Sequence, residues 1–140
     1  ASDVYKRQAK EVLKSNNIKN VELFAQDTLR YLKSIKKKFD IIILDPPRKG
    51  CTQEVLDEVL RHLKSNHSKA ESDEILRSAQ NDAIAEGASK GKIIYVSCNP
   101  ATLARDLKYL TEHGAKVESI QPFDMFCHTY HIENVAIINL

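Results

Sequence analysis

The chain has 140 residues, 42% of them hydrophobic and 29% charged, and a formal net charge of +2. This length suits one domain with its own core, and the small charge neither requires nor excludes a nucleic-acid partner. No apolar run approaches the roughly 20 residues of a membrane-spanning helix, so no membrane partner is expected. The three cysteines form no Cys-x-x-Cys pair. Together with the lack of a secretory signal, they indicate free thiols and a cytoplasmic location.

Hydrophobic periodicity divides the first half of the chain into alternating helices and strands. It predicts the end of a helix over residues 9–15, helices over residues 28–35 and 52–63, and strands over residues 21–25 and 39–44. Thr52 is a suitable N-cap for the third helix. The second strand ends at Asp45-Pro46-Pro47, because proline cannot continue a hydrogen-bonded ladder.

The same alternation continues through the second half. It predicts strands over residues 92–96, 117–121 and 133–139, with a helix between the first two. Asn99 caps this helix, Pro100 occupies its first position, and Gly114 ends it. Alternating strands and helices predict an α/β fold with a doubly wound, mostly parallel sheet, and the last two strands are expected to pair antiparallel at one edge.

Two of the predicted parallel strands end in residues that can do chemistry. Asp45 follows the run Ile41–Leu44, and Cys98 follows the run Ile93–Val96 after one serine. Ligands of open α/β sheets bind outside the carboxyl ends of the strands. We therefore expect this carboxylate and this thiol to belong to one active site.

Three segments, in this order, carry a resemblance to a known family. They are Asp-Pro-Pro-Arg-Lys-Gly-Cys at 45–51, Val-Ser-Cys-Asn-Pro-Ala-Thr-Leu-Ala-Arg-Asp-Leu at 96–107 and His-Thr-Tyr-His-Ile-Glu at 128–133. The first is common among methyltransferases, whereas the other two are more specific. Together they resemble the S-adenosylmethionine-dependent RNA (uracil-5-)-methyltransferases, over about residues 9–140. The resemblance implies a Rossmann-like class I methyltransferase sheet, S-adenosyl-L-methionine as cofactor, and an rRNA or tRNA substrate.

The resemblance also implies roles for four residues. Cys98 matches the nucleophile that adds to uracil C6, and Glu133 matches the base that removes the C5 proton. Amides at the start of the helix after Asn99 can stabilise the Cys98 thiolate. Asp45 matches a residue at the rim of the cofactor and target base. Asp27 matches one on the adenine side of the cofactor, and it can also cap the helix that follows it.

Cys127, His128 and His131 form the one cluster with possible metal ligands. Zinc sites usually repeat a paired spacing, which this cluster lacks. We therefore expect no metal, and we interpret the two histidines as residues that orient the loop or contact the substrate.

Two features depart from the family pattern. Residues 64–91 are long and polar for a helix-to-strand connection, so we interpret them as an insertion, with a small helix over 73–85, in a partial catalytic domain at 1–140. The first glycine is Gly50, so the glycine-rich cofactor loop of such domains has no counterpart here. We therefore expect the carboxyl-terminal part of a catalytic domain, with its amino-terminal strands missing and no activity by itself.

The sequence also bears on three other functions. Amino-methylating enzymes with an Asp-Pro-Pro motif use no cysteine, so Cys98 argues against them. The proline-cysteine motif of RNA cytosine-5 methyltransferases is absent. An inactive α/β remnant that binds RNA or a partner protein without catalysis remains open.

Overall fold

The computed structural model describes residues 2–63, 91–125, 128–129 and 132–140. Its elements are α1 (Ser2–Ser15), α2 (Thr28–Ser34), β1 (Ile41–Leu44), α3 (Gln53–His62), β2 (Lys92–Ser97), α4 (Pro100–Glu112), β3 (Lys116–Phe123) and β4 (Glu133–Asn139). They fall into two compact units, Ala1–Ile35 and Lys36–Leu140. The insertion predicted over 64–91 lies outside the described residues, apart from Gly91. In the described ranges, no helix has the length and apolar character of a membrane span.

The four strands form one sheet in the second unit, in the order β1-β2-β4-β3. β1 pairs with β2 in parallel, whereas β4 is antiparallel to both of its neighbours. Strands β1, β2 and β3 therefore run in one direction and β4 runs in the other. This confirms the predicted α/β fold, with β3 and β4 as an antiparallel pair at one edge.

Helix α4 covers one face of this sheet. Alternate residues of β2 and β4 are buried on that face, including Tyr95, Ile93 and Ile138. The Tyr95 hydroxyl donates to Asp106 of α4, which identifies the face that the helix covers. Helices α3 and α4 contribute further core residues at i, i+3 and i+4 spacing. These helical core residues are Leu56, Val59, Leu103, Leu107 and Leu110.

The predicted helix starts are confirmed by their caps. Asp27 accepts from the Arg30 amide at 2.9 Å, and Asn99 accepts from the Ala101 amide at 3.0 Å. Thr52 caps α3 in the same way. These side chains satisfy amides that have no partner inside the helix, so each sequence signal has a direct structural counterpart.

The strand predicted over 21–25 is wrong. This segment is irregular, with Val21 and Phe24 about half exposed, and it pairs with no strand of the described residues. A segment of apolar residues becomes a strand only where a neighbouring strand accepts its backbone hydrogen bonds. Residues 9–15, predicted as the end of a helix, form the second half of α1, which runs from Ser2 to Ser15.

Candidate active site

Cys98 and Glu133 lie at the same end of two neighbouring strands. The last pair between β2 and β4 is Ser97 with Asn134. Cys98 directly follows Ser97, and Glu133 directly precedes Asn134. The buried Asn134 side chain donates to the Ser97 carbonyl at 3.3 Å, which ties these two strand ends together.

Asp45 lies at the same edge of the sheet. Leu44 is in register with Tyr95 in the parallel pair of β1 and β2, so Asp45 follows the carboxyl end of β1 as Cys98 follows that of β2. The Asp45 side chain is exposed. Three of the four predicted site residues therefore meet at one edge, while Asp27 belongs to the other compact unit, where it caps α2.

The half-buried Cys98 sits in a short turn between β2 and α4. The Asn99 amide donates to Ser97 Oγ at 3.2 Å, and Ser97 Oγ donates to the Asn99 carbonyl at 3.1 Å. Asn99 in turn caps α4. These bonds on both sides hold the Cys98 backbone in place.

The segment 45–51, named here the Asp-Pro-Pro loop, is tied to the start of α4. The Arg48 carbonyl accepts from Asn99 Nδ2 at 3.2 Å and from Thr102 Oγ1 at 3.0 Å. Asn99 directly follows Cys98. The loop that carries Asp45 is therefore attached next to the thiol.

An Arg105–Asp106 pair provides a second and more buried attachment. Asp106 is 2% exposed, and its Oδ2 accepts from the Cys51 amide at 2.8 Å and from the Tyr95 hydroxyl at 2.6 Å. Arg105 lies 2.7 Å from Asp106 Oδ1 and also donates to the Lys49 and Cys51 carbonyls, at 2.9 and 3.1 Å. The two side chains thus bind three backbone groups of the loop.

Gly50 lets the loop approach this pair closely. Its φ is +75°, and a Cβ there would lie 2.5 Å from Asp106 Oδ2 and 2.6 Å from Arg105 Nη2. Both distances are below van der Waals contact. The position requires glycine for its backbone conformation and for the space.

Arg105 and Asp106 are not among the four site residues predicted from the sequence. One signal was available, because Asp106 shares the buried face of α4 with Leu103, Leu107 and Leu110. A charged residue on an apolar helical face must find partners when it is buried. The sequence does not show which residues these partners are, because Cys51, for example, lies 55 residues away along the chain.

The surroundings of Cys51 favour its thiol over its thiolate. Burial raises its pKa, and the negative charge of Asp106 adds to this rise, while a hydrogen bond from Tyr95 and the charge of Arg105 oppose it. Burial and the hydrogen bond to Asp106 also raise the pKa of Tyr95. A raised pKa leaves less thiolate at neutral pH, so Cys51 is expected to be less nucleophilic than an unperturbed thiol.

We expect the raised pKa to appear as slow alkylation of Cys51. Iodoacetamide should modify Cys51 in the folded protein more slowly near neutral pH than in the urea-unfolded protein, and the profile should rise at higher pH. Asp106→Asn should move the profile to lower pH, because it removes a negative charge that disfavours the thiolate. Mass spectrometry of the Cys51 peptide measures both effects, and identical folded and unfolded profiles would contradict them.

A cavity of about 550 Å³ lies behind the Asp-Pro-Pro loop, between the start of α3 and the side of α4. Its walls include Lys49, Gln53, Leu56, Lys108 and Tyr109. Neither Cys98 nor Glu133 lines it. The sheet edge that carries Asp45, Cys98 and Glu133 is therefore separate from this cavity.

The possible metal ligands are only partly described. His128 has a left-handed backbone with φ of +67° and an exposed side chain, whereas Cys127 and His131 lie outside the described residues. Among the residues that are described, no three side chains of His, Cys, Asp or Glu form a group that could hold a metal ion.

Comparison with known proteins gives a consistent family. Residues 79–139 match the model of the tRNA (uracil-5-)-methyltransferase family. An uncharacterized RNA methyltransferase of Thermotoga maritima is 38% identical over 123 residues, which cover 88% of this chain and 22% of that protein. One of Bacillus cereus is 41% identical over 101 residues, covering 72% of this chain and 16% of that protein. The chain thus spans about a fifth of the length of these curated relatives.

Two solved structures share the fold. The precorrin-6y C5,15-methyltransferase of Geobacter metallireducens has a TM-score of 0.60 at 17% identity, over 94% of this chain and 60% of that one, and shows the fold alone. The tRNA (uracil-54, C5)-methyltransferase of Pyrococcus abyssi, in complex with S-adenosyl-L-homocysteine, has a TM-score of 0.61 at 29% identity, over 93% of this chain and 24% of that one. On the family match and these relatives, the chain belongs to the RNA (uracil-5-)-methyltransferase family.

Proposed function

We propose that the enzyme with these residues transfers a methyl group from S-adenosyl-L-methionine to C5 of a uridine in rRNA or tRNA, through a covalent bond between Cys98 and C6. One observation carries the proposal. Cys98 and Glu133 flank the pair Ser97–Asn134, at the sheet edge where Asp45 also lies. The reaction needs a thiol and a carboxylate base on one base ring, and this edge supplies both.

The proposed reaction starts at Cys98, because uracil C5 is a weak nucleophile on its own. The Cys98 thiolate forms a bond to C6, and the electron pair displaced from the C5–C6 double bond makes C5 nucleophilic. C5 then forms a bond to the methyl group, whose bond to the cofactor sulfur would break with its electron pair left on that sulfur. Glu133 accepts the C5 proton, the double bond re-forms, and the Cys98 sulfur leaves as thiolate.

The cofactor supplies an electrophilic methyl group on a positively charged sulfur. Asp45 fits a place beside it, since an exposed carboxylate at the carboxyl end of a parallel strand can accept hydrogen bonds from ligand amines and hydroxyls. We propose Asp27 for the adenine side, on the resemblance. The S-adenosyl-L-homocysteine in the Pyrococcus abyssi enzyme supports this cofactor.

The substrate uridine has to leave its base stack. A base inside a helix presents neither face of C6 to a side chain fixed at the end of a strand. The target is therefore flipped out or lies in a loop, as for other enzymes that act on bases.

We propose that residues 1–140 are part of the catalytic domain and that residues 64–91 are an insertion in it. The second candidate function is an α/β chain that binds RNA or a partner protein without catalysis.

Labelled methyl transfer tests the proposed function, because a protein that binds RNA without catalysis would transfer no methyl group. The natural full-length enzyme, incubated with rRNA or tRNA and labelled S-adenosyl-L-methionine, should produce 5-methyluridine. The 140-residue chain alone should produce none and should bind the cofactor very weakly, because the methionine-binding glycine loop has no counterpart in it. Nucleoside analysis and isothermal titration measure these results. A different methylated nucleoside would contradict the first expectation, and micromolar cofactor binding by the short chain would contradict the second.

A further inference from the structure

Asp106 is a buried carboxylate that the proposed reaction does not use. Its side chain is 2% exposed, yet its ion partner Arg105 is 57% exposed. Burying a carboxylate is unfavourable unless charged and hydrogen-bonding partners compensate for the lost water. Here the compensation comes from Arg105 on Oδ1 and from Cys51 and Tyr95 on Oδ2.

The hydrogen bonds of Asp106 connect three segments of the chain, two of which lie on either side of Cys98. Tyr95 is in β2, just before Cys98, and Asp106 itself is in α4, just after it. Cys51 is at the end of the loop that begins at Asp45. One carboxylate thus connects the strand and the helix on both sides of the thiol to the loop that carries Asp45.

We propose that Asp106, with Arg105, is a positioning residue that holds the Asp-Pro-Pro loop in place relative to Cys98. This inference rests on the proposed function, because the position of Asp45 matters only if Asp45 and Cys98 serve one reaction. Both carboxylate oxygens take part. An asparagine in this place retains one acceptor oxygen, loses the charge opposite Arg105, and presents an NH₂ group to donors.

Arg105 extends the attachment along the loop. Its planar guanidinium reaches Asp106 and the carbonyls of Lys49 and Cys51 together. A lysine keeps the positive charge but has no such fork. Arg105→Lys therefore separates the charge of the pair from its geometry, and because the side chain is largely exposed, the change leaves the core intact.

The test compares Asp106→Asn with a matched control, Asp57→Asn, in the natural full-length enzyme. Asp57 of α3 accepts from the Tyr109 hydroxyl of α4 at 2.6 Å, the same distance as in the Tyr95–Asp106 bond, but it is exposed and this bond joins two helices rather than the loop. A displacement of about 1 Å in a catalytic group can lower the rate about 100-fold. We expect Asp106→Asn to lower kcat about tenfold or more, with the KM for RNA nearly unchanged. Asp57→Asn should leave both constants at parental values.

Arg105→Lys should lower kcat by a smaller factor, again without a matching change in the KM for RNA. In both Asp106→Asn and Arg105→Lys, the Cys51 amide hydrogen should exchange with solvent faster than in the parent enzyme. If Asp106→Asn does not fold, as judged by thermal unfolding, Arg105→Lys decides the question.

The outcomes separate the inference from the proposed function. Parental kcat in folded Asp106→Asn, or in Arg105→Lys where that variant decides, overturns the inference and leaves the proposed function standing. A change in unfolding temperature with kcat unaltered also overturns it, since it shows a purely structural role. A parent enzyme that makes no 5-methyluridine overturns the proposed function, and the inference falls with it.

Discussion

Cys98→Ala in the natural full-length enzyme is expected to abolish methyl transfer to RNA, together with any covalent protein–RNA complex. The reason is that Cys98 forms the only proposed bond to the base, so that without it C5 is not activated. Loss of one nucleophile typically lowers turnover by several orders of magnitude. The measurement is labelled methyl incorporation, followed by electrophoresis under denaturing conditions.

Glu133→Gln is expected to lose turnover as well, but with the opposite result on the gel. Glu133 acts after methyl transfer, when the C5 proton must leave before the sulfur can be eliminated. The glutamine variant should therefore attack and methylate the base and then stall with RNA attached through Cys98. A band shifted by the mass of the RNA should persist in denaturant.

Two matched variants serve as controls for this pair. Glu118→Gln makes the same change on β3, at the opposite end of the sheet, where Glu118 pairs with Lys92 at 3.1 Å. Cys51→Ala removes the other described thiol. Both should retain adduct formation and turnover. A Cys98→Ala enzyme that still methylates uridine would contradict the whole reaction scheme, and a Glu133→Gln enzyme with normal turnover and no adduct would remove Glu133 from it.

Gly50→Ala is expected to destabilise the fold more than the same change at Gly114. Both glycines have positive φ, +75° and +93°, so each substitution strains the backbone. A Cβ at Gly114 meets no atom within 4 Å, whereas at Gly50 it would collide with Asp106 and Arg105. Gly114→Ala should lower the free energy of unfolding by about 1–2 kcal/mol, from strain alone. Gly50→Ala should lower it by about 3–4 kcal/mol, because the buried hydrogen bonds of Asp106 are disturbed as well.

Urea unfolding of the two variants and the parent measures this difference. The comparison isolates the close approach of the loop to α4, since the backbone term is common to both substitutions. Gly50→Ala should also lower kcat, while Gly114→Ala should not. Equal destabilisation by the two changes would show that the close approach of Gly50 to the Arg105–Asp106 pair does not contribute to the free energy of unfolding.

Local chemistry in the sequence determined most of the elements. Asp27, Thr52 and Asn99 predict three helix starts correctly, because a side-chain oxygen at the N-cap accepts hydrogen bonds from amides of the next turn and needs no distant partner. The apolar runs before Asp45 and Cys98 likewise predict β1 and β2 correctly from local sequence. Parallel strands place their carboxyl ends together, so the meeting of Asp45 and Cys98 at one edge followed from the sequence as well.

Pairing partners and buried polar contacts were decided by the tertiary structure alone. Residues 21–25 have the composition of a strand, but a strand depends on a neighbour that sequence composition does not name. The place of β4 between β2 and β3 sets Glu133 beside the strand end that leads to Cys98, and this register arises from pairing over some 37 residues. Asp106 likewise bonds a loop 55 residues away. A sequence shows that such a charge has to be compensated, and only the folded chain shows by which atoms, because long-range partners are selected by packing rather than by local preference.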